Sequence, residues 1–136
     1  MKKLSSVLLI DDDETTNYIN KLVVNRAAIT EELLVALNGK EAIELITARC
    51  EGTTSGQDLP QLIMLDINMP VIDGFGFLEA FNKLECLQDK SVVVAVLTTS
   101  LNPGDIERAR QAGVTEFLSK PLTRQMLDKL METYFS

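Results

Sequence analysis

Five short strand-like segments recur along this chain, at residues 7–10, 33–37, 62–65, 91–97 and 114–118, the first four apolar almost throughout and the last interrupted by Thr115 and Glu116. Each is followed by a stretch whose apolar residues fall at helical spacing. Strands separated by helices cannot pair through tight hairpins, so each returns to the same end of the sheet by a right-handed crossover. The pattern therefore predicts a parallel sheet with helices on both faces. The run at 91–97, rich in valine, has the composition of a central strand buried on both sides. The chain of 136 residues is used up by these five units. A single domain over 1–136 is expected, with no linker or repeat and no second domain.

Two of the runs stop on carboxylates. Val7, Leu8, Leu9 and Ile10 lead straight into Asp11, Asp12 and Asp13, and Leu62, Ile63, Met64 and Leu65 lead into Asp66. Open α/β sheets place their chemistry beyond the carboxyl ends of the strands. An acidic run is ordinarily a solvated turn or a helix cap. Here its place directly after a buried strand, matched by Asp66 in a second unit, points to negative charges gathered at one sheet edge. Such crowding is unfavourable unless a divalent cation or a proton neutralises it. The same edge should receive Thr98 from the fourth unit and Lys120 from the fifth. A hydroxyl and an ammonium beside hard carboxylate oxygens suit magnesium-assisted phosphoryl transfer onto a carboxylate.

Local signals place the helices. Ile19, Leu22, Val23 and Ala27 are expected to form the inner face of the first helix. Asn38 with Glu41 reads as a capping box for the second, which presents Ala42, Ile43, Leu45 and Ile46. Asp73 and Gly74 open the third, with Phe77, Leu78, Phe81 and Leu84 inward and with Gly74 and Gly76 allowing close backbone packing. Asn102 and Pro103 start the fourth, which carries Ile106, Ala109 and Ala112 and stops at Gly113. Thr123 caps the last, which carries Met126, Leu127, Leu130, Met131 and Tyr134. Asp13 is expected to cap the first helix rather than bind metal. Residues 51–61 form a polar loop.

Thirteen basic against twenty acidic residues give a net charge of −7, which argues against a nucleic-acid surface. No segment approaches the ~20 apolar residues that span a bilayer, and the apolar stretch near the amino terminus is too short for a signal sequence. A cytoplasmic location, with no membrane and no nucleic-acid partner, is expected. Cys50 and Cys86 show no CxxC pairing and are expected to be structural or incidental thiols rather than a disulfide or zinc site. The absence of histidine from the sequence removes histidine acid–base chemistry and histidine metal ligands.

In order and spacing, Ile10-Asp11-Asp12, Leu65-Asp66, Met69-Pro70 with Asp73-Gly74, Thr98, and Lys120-Pro121 resemble the motifs of receiver domains of two-component response regulators, the family that includes the chemotaxis response regulator. The resemblance covers essentially the whole chain. It implies a flavodoxin-like (βα)5 fold, a doubly wound five-stranded parallel sheet of strand order 2-1-3-4-5. It implies Asp66 as phosphoacceptor, with Thr98 and Lys120 assisting. Magnesium would be held by Asp11, Asp12, Asp66 and the backbone carbonyl of Asn68. Thr98 and Phe117 would form the switch, and the Lys120–Pro121 bond would be cis. Read alone, Lys120 would be a surface lysine, Thr98 a strand end and Phe117 a core aromatic.

The resulting expectation is a single-domain response regulator of a two-component phosphorelay, without an output domain. It would accept a phosphoryl group from a histidine kinase or histidine phosphotransfer protein and switch a surface for an unknown downstream protein target. It would be a regulatory phosphoacceptor that assists its own phosphorylation and dephosphorylation, not an enzyme. A phosphatase of the haloacid dehalogenase type also uses an aspartyl nucleophile and magnesium, but it wants a second aspartate where this chain has Asn68. A flavin carrier of the same architecture would want a hydroxyl-rich phosphate loop where this chain has aspartates. A receiver-like module that binds proteins without being phosphorylated is the third alternative.

Overall fold

The structure, a computed structural model, describes residues 3–51, 59–67, 74–84, 92–98 and 103–135. The strands are β1 (Val7–Ile10), β2 (Leu33–Ala36), β3 (Leu62–Leu65), β4 (Val93–Thr98) and β5 (Glu116–Ser119). The helices are α1 (Glu14–Ala27), α2 (Gly39–Glu51), α3 (Gly74–Asn82), α4 (Pro103–Gln111) and α5 (Arg124–Tyr134). All strand pairs are parallel and the order is β2-β1-β3-β4-β5, the expected flavodoxin-like arrangement. Asn68, Met69, Pro70, Asp73, Cys86, Ser91 and Asn102, with residues 52–58 of the polar loop, lie outside the described residues.

Burial along each strand follows its place in the sheet. Every residue of β1 and β3 is buried, as the apolar runs require for strands covered on both faces. The edge strands are only partly buried, and β5 accordingly carries Glu116 and Ser119. Alternation along the strands divides the core into two layers. Leu8, Ile10, Ile63, Leu65, Val94 and Val96 pack with residues of α2, α3 and α4. Val7, Leu9, Leu62, Met64, Ala95 and Leu97 pack with residues of α1 and α5.

The caps form largely as the residues dictate. Asp13 accepts from the Thr15 N–H at 3.0 Å and Thr123 from the Met126 N–H at 3.2 Å. Asn38 accepts from the Glu41 N–H at 2.9 Å, while the Glu41 carboxylate reaches back to the Leu37 N–H at 3.4 Å. Gly113, at φ +100°, closes α4 in a conformation that side chains disfavour.

Two expectations are corrected. The inner face of α1 is Asn17, Asn20, Val24 and Ala27, whereas Tyr18, Ile19 and Leu22 are 63%, 45% and 39% exposed. At about 100° per residue these sets lie on opposite sides of the helix. Of the four apolar positions expected inward, Ala27 is buried and Val23 packs against the core, but Ile19 and Leu22 are not; Asn17, bonded to the Asp11 carbonyl at the end of β1, and Asn20 take the inward places. Cys50 is disulfide-bonded, which overturns the reading as a free structural thiol.

Candidate functional site

Pairing of Ile10 with Leu65 puts the next residues, Asp11 and Asp66, side by side at the carboxyl end of the sheet. The ladder continues to that point, since the Asp66 N–H donates to the Ile10 carbonyl at 2.9 Å and the Asp11 N–H to the Ala36 carbonyl at 3.1 Å. Asp11 is 4% and Asp66 6% exposed, and Asp12 is exposed beside them. The site lies where strand order reverses, β1 leading outward to β2 and β3 returning on its other side.

Asp11, Asp12 and Asp66 each offer a carboxylate oxygen, and these lie within 4.8 Å of one another. At an effective dielectric of about 20, a like-charged pair at that separation repels by roughly 3 kcal/mol. Lys120 relieves part of it. Its ammonium lies 2.6 Å from Asp11 Oδ2 and 3.4 Å from Asp66 Oδ2. Burial acts to lower the Lys120 pKa, but the hydrogen bond and charge of Asp11, joined by Asp66, outweigh it and raise the value above the ordinary 10.5. Three carboxylates and one ammonium leave a net charge of −2. That charge, the hard oxygen donors and the solvent-facing Asp12 fit a magnesium ion.

The backbone holds this geometry. The Lys120 N–H donates to the Thr98 carbonyl at 3.0 Å, and the Lys120–Pro121 bond is cis, as expected. Thr98 is buried at the end of β4, beside Ser119 of β5. Phe117 lies beside Val96 and packs on the layer of α2, α3 and α4, with the Arg110 guanidinium 5.6 Å from its ring centroid. Gly74, at the start of α3, donates to the Ile67 carbonyl at 2.9 Å, and a Cβ there would stand 2.6 Å from Ile67 Cα. Only glycine lets α3 approach the segment after Asp66 this closely.

The sheet therefore brings Asp11, Asp12, Asp66 and Lys120 together, with Thr98 at the same edge and Phe117 on the neighbouring strand. Asn68 lies outside the described residues. The inward asparagines of α1 escaped the sequence reading. Asn17 donates to the Asp11 carbonyl at 2.8 Å, and with Asn20 it lines the space beneath Asp11 and Asp66. A helical stripe through Val24 and Ala27, extended back to the asparagines at 17 and 20, would have found them.

A family profile described as "Response regulator receiver domain" matches residues 7–132. The chain belongs to that family. Among its relatives, this receiver domain is 30% identical over 118 residues to two-component response regulator 24 of Arabidopsis thaliana, covering 87% of this chain and 75% of that protein. It is 29% identical over 126 residues to response regulator Rcp1 of Synechocystis sp., covering 93% and 83%. A crystal structure of a two component response regulator from Cytophaga hutchinsonii superposes with a TM-score of 0.85 at 30% identity, covering 98% of both chains. Receiver domains are regulatory phosphoacceptors of two-component systems that pair with histidine kinases or phosphotransfer proteins, and they typically use magnesium at an acidic pocket.

Proposed function

We propose that Asp66 is the phosphoacceptor of this receiver domain, supplied by a phosphohistidine on another protein. The observation that carries this reading is the Lys120 ammonium, shared between Asp11 at 2.6 Å and Asp66 at 3.4 Å. A cation so placed favours the ionised, nucleophilic form of a carboxylate in a buried site. A carboxylate oxygen of Asp66 bonds to phosphorus as the P–N bond of the donor imidazole breaks; the leaving nitrogen keeps the electron pair and takes up a proton. Lys120 and the Thr98 hydroxyl stabilise the charge on the phosphoryl oxygens. Asp11, Asp12 and Asp66 would hold magnesium, joined on the family resemblance by the Asn68 carbonyl, and the ion would neutralise charge on the transferring group. Thr98 and Phe117 then carry the modified state to a partner-binding surface, and the same pocket assists hydrolysis of the acyl phosphate.

The donor's docking face follows from the rotation of α1. Tyr18, Ile19 and Leu22 face solvent on the helix that begins beside the acidic cluster. A groove of about 260 Å³ runs along its flank, lined by Glu14, Asn17, Tyr18, Lys21, Val35 and Leu37. A helical phosphodonor lying on this face would present its histidine to Asp66. The direct test is incubation with phosphoramidate and magnesium followed by intact-mass measurement. One phosphoryl group should be added to the parent and none to Asp66→Asn; labelling of the variant at the parent's rate would overturn the assignment.

A further inference from the structure

Asn17 reaches the site from α1 without bringing charge to it. It is 4% exposed, and its Nδ2 donates to the main-chain carbonyl of Asp11 at 2.8 Å. Its Oδ1 is buried and makes no hydrogen bond among the described residues. A side chain selected only to pack α1 on the sheet would be apolar, as Val24 and Ala27 are on the same face. A carboxamide with an orphan acceptor adds nothing to packing that leucine would not supply without the desolvation.

Every polar atom of Asp11 has a partner. The N–H donates to Ala36, Oδ1 accepts from the Asp13 N–H at 2.9 Å, and Oδ2 accepts from Lys120. The sheet, the turn and the lysine satisfy these three. The carbonyl is different, because the chain leaves β1 here and no strand partner meets it. Asn17 supplies that bond. Without it a buried acceptor stands unsatisfied where the turn begins, and the turn would rotate to solvate it, taking the carboxylates of Asp11 and Asp12 along.

We propose that Asn17 is a positioning residue for magnesium: its carboxamide fixes the Asp11 carbonyl and so sets the aim of the Asp11 and Asp12 carboxylates. The inference rests on the reading of the acidic cluster as a magnesium site. Asn20 serves as the control, since it is equally buried on the same face and lines the same space but makes no hydrogen bond to Asp11.

Magnesium affinity of the folded protein is measured by calorimetric titration, alongside melting temperature without metal. Asn17→Leu and the smaller Asn17→Ala should each bind magnesium about tenfold more weakly than the parent, the scale found for groups that orient metal ligands. Asn20→Leu should bind like the parent. Parent-like affinity in both Asn17 variants would overturn the proposal, whatever their melting temperatures. An equal loss in Asn20→Leu would assign the effect to packing and overturn it too, as would failure of both Asn17 variants to fold. A parent protein that binds no magnesium would instead overturn the reading of the cluster on which the inference stands.

Discussion

Lys120 is held charged by two buried carboxylates, and the sign of its pKa shift fixes what pH should do. Its value in the folded protein is raised above the ordinary 10.5. Its stabilising contribution is therefore complete below the unfolded value and is lost as pH rises through the folded one. Denaturant unfolding of the parent should lose stability from about pH 10 upward, and Lys120→Met should lose less over the same window. Parallel declines in the two proteins would show that other groups carry the alkaline transition. Gly74 makes a second residue-scale prediction. A Cβ there meets Ile67 Cα at 2.6 Å, a backbone atom that cannot swing aside. Gly74→Ala should cost about 1–3 kcal/mol in chemical unfolding and slow phosphorylation by phosphoramidate, because the segment after Asp66 must shift. Unchanged stability and rate would mean that α3 can retreat without disturbing Asp66.

Among the elements, α1 departs most from a simple amphipathic helix. It turns two asparagines toward the sheet and Tyr18, Ile19 and Leu22 toward solvent. If that face receives the phosphodonor, Tyr18→Ala combined with Leu22→Ala should lower transfer from a phosphohistidine protein about tenfold or more, the loss expected on removing apolar residues that bear much of a docking energy. Phosphorylation by phosphoramidate, which needs no docking face, should proceed at the parent's rate. Equal loss with both donors would place the effect in the site rather than in docking. The helix α4 contrasts with α1, since Ala109 is its only buried residue. Its remaining hold includes Arg108 over the Phe75 ring at 4.0 Å, Arg110 over Phe117 at 5.6 Å, and the Asn82 side chain donating to the Ala112 carbonyl at 2.8 Å. A helix held by so little apolar contact is suited to shift when its neighbours do.

For the molecule as a whole, the consequence is a path from the phosphoryl site to the surface of α4 and β5. Thr98 and Ser119 are paired across β4 and β5, and Phe117 lies two residues earlier on β5 under Arg110. On the proposed reading, Thr98 moving toward a phosphoryl group frees Phe117 to move inward, and a partner that prefers that state favours phosphorylation equally. An exposed guanidinium–ring contact is worth about 0.5–1 kcal/mol, so Arg110→Gln should shift the inward population about twofold to fivefold before phosphorylation. Amide resonances of β5 in the unphosphorylated variant would report it. Thr98→Ala should abolish the response of those resonances to phosphorylation while leaving Asp66 able to accept the group. A full response in Thr98→Ala would remove the threonine from the path.

Patterns short enough to be local were legible in the chain itself. Uninterrupted apolar runs marked β1, β3 and most of β4, because a strand buried on both faces has no polar position to interrupt it, whereas the partly buried edge strand β5 is interrupted by Glu116. The caps at Asp13, Asn38 and Thr123 were legible for a similar reason, since each satisfies backbone groups only two or three residues away. The convergence of Asp11, Asp66 and Lys120 followed from parallel connectivity, which sends every strand end to one edge. What the chain did not disclose depended on orientation between elements. The stripe expected for α1 holds at Ala27 and in part at Val23, but Ile19 and Leu22 face solvent, and Asn17, which holds the Asp11 carbonyl, and Asn20 take the inward places. The bonded state of Cys50 was likewise invisible, as a disulfide depends on where two distant segments meet. Local free energies write themselves into local sequence, whereas the phase of a helix and the meeting of remote side chains are set only when the tertiary structure closes.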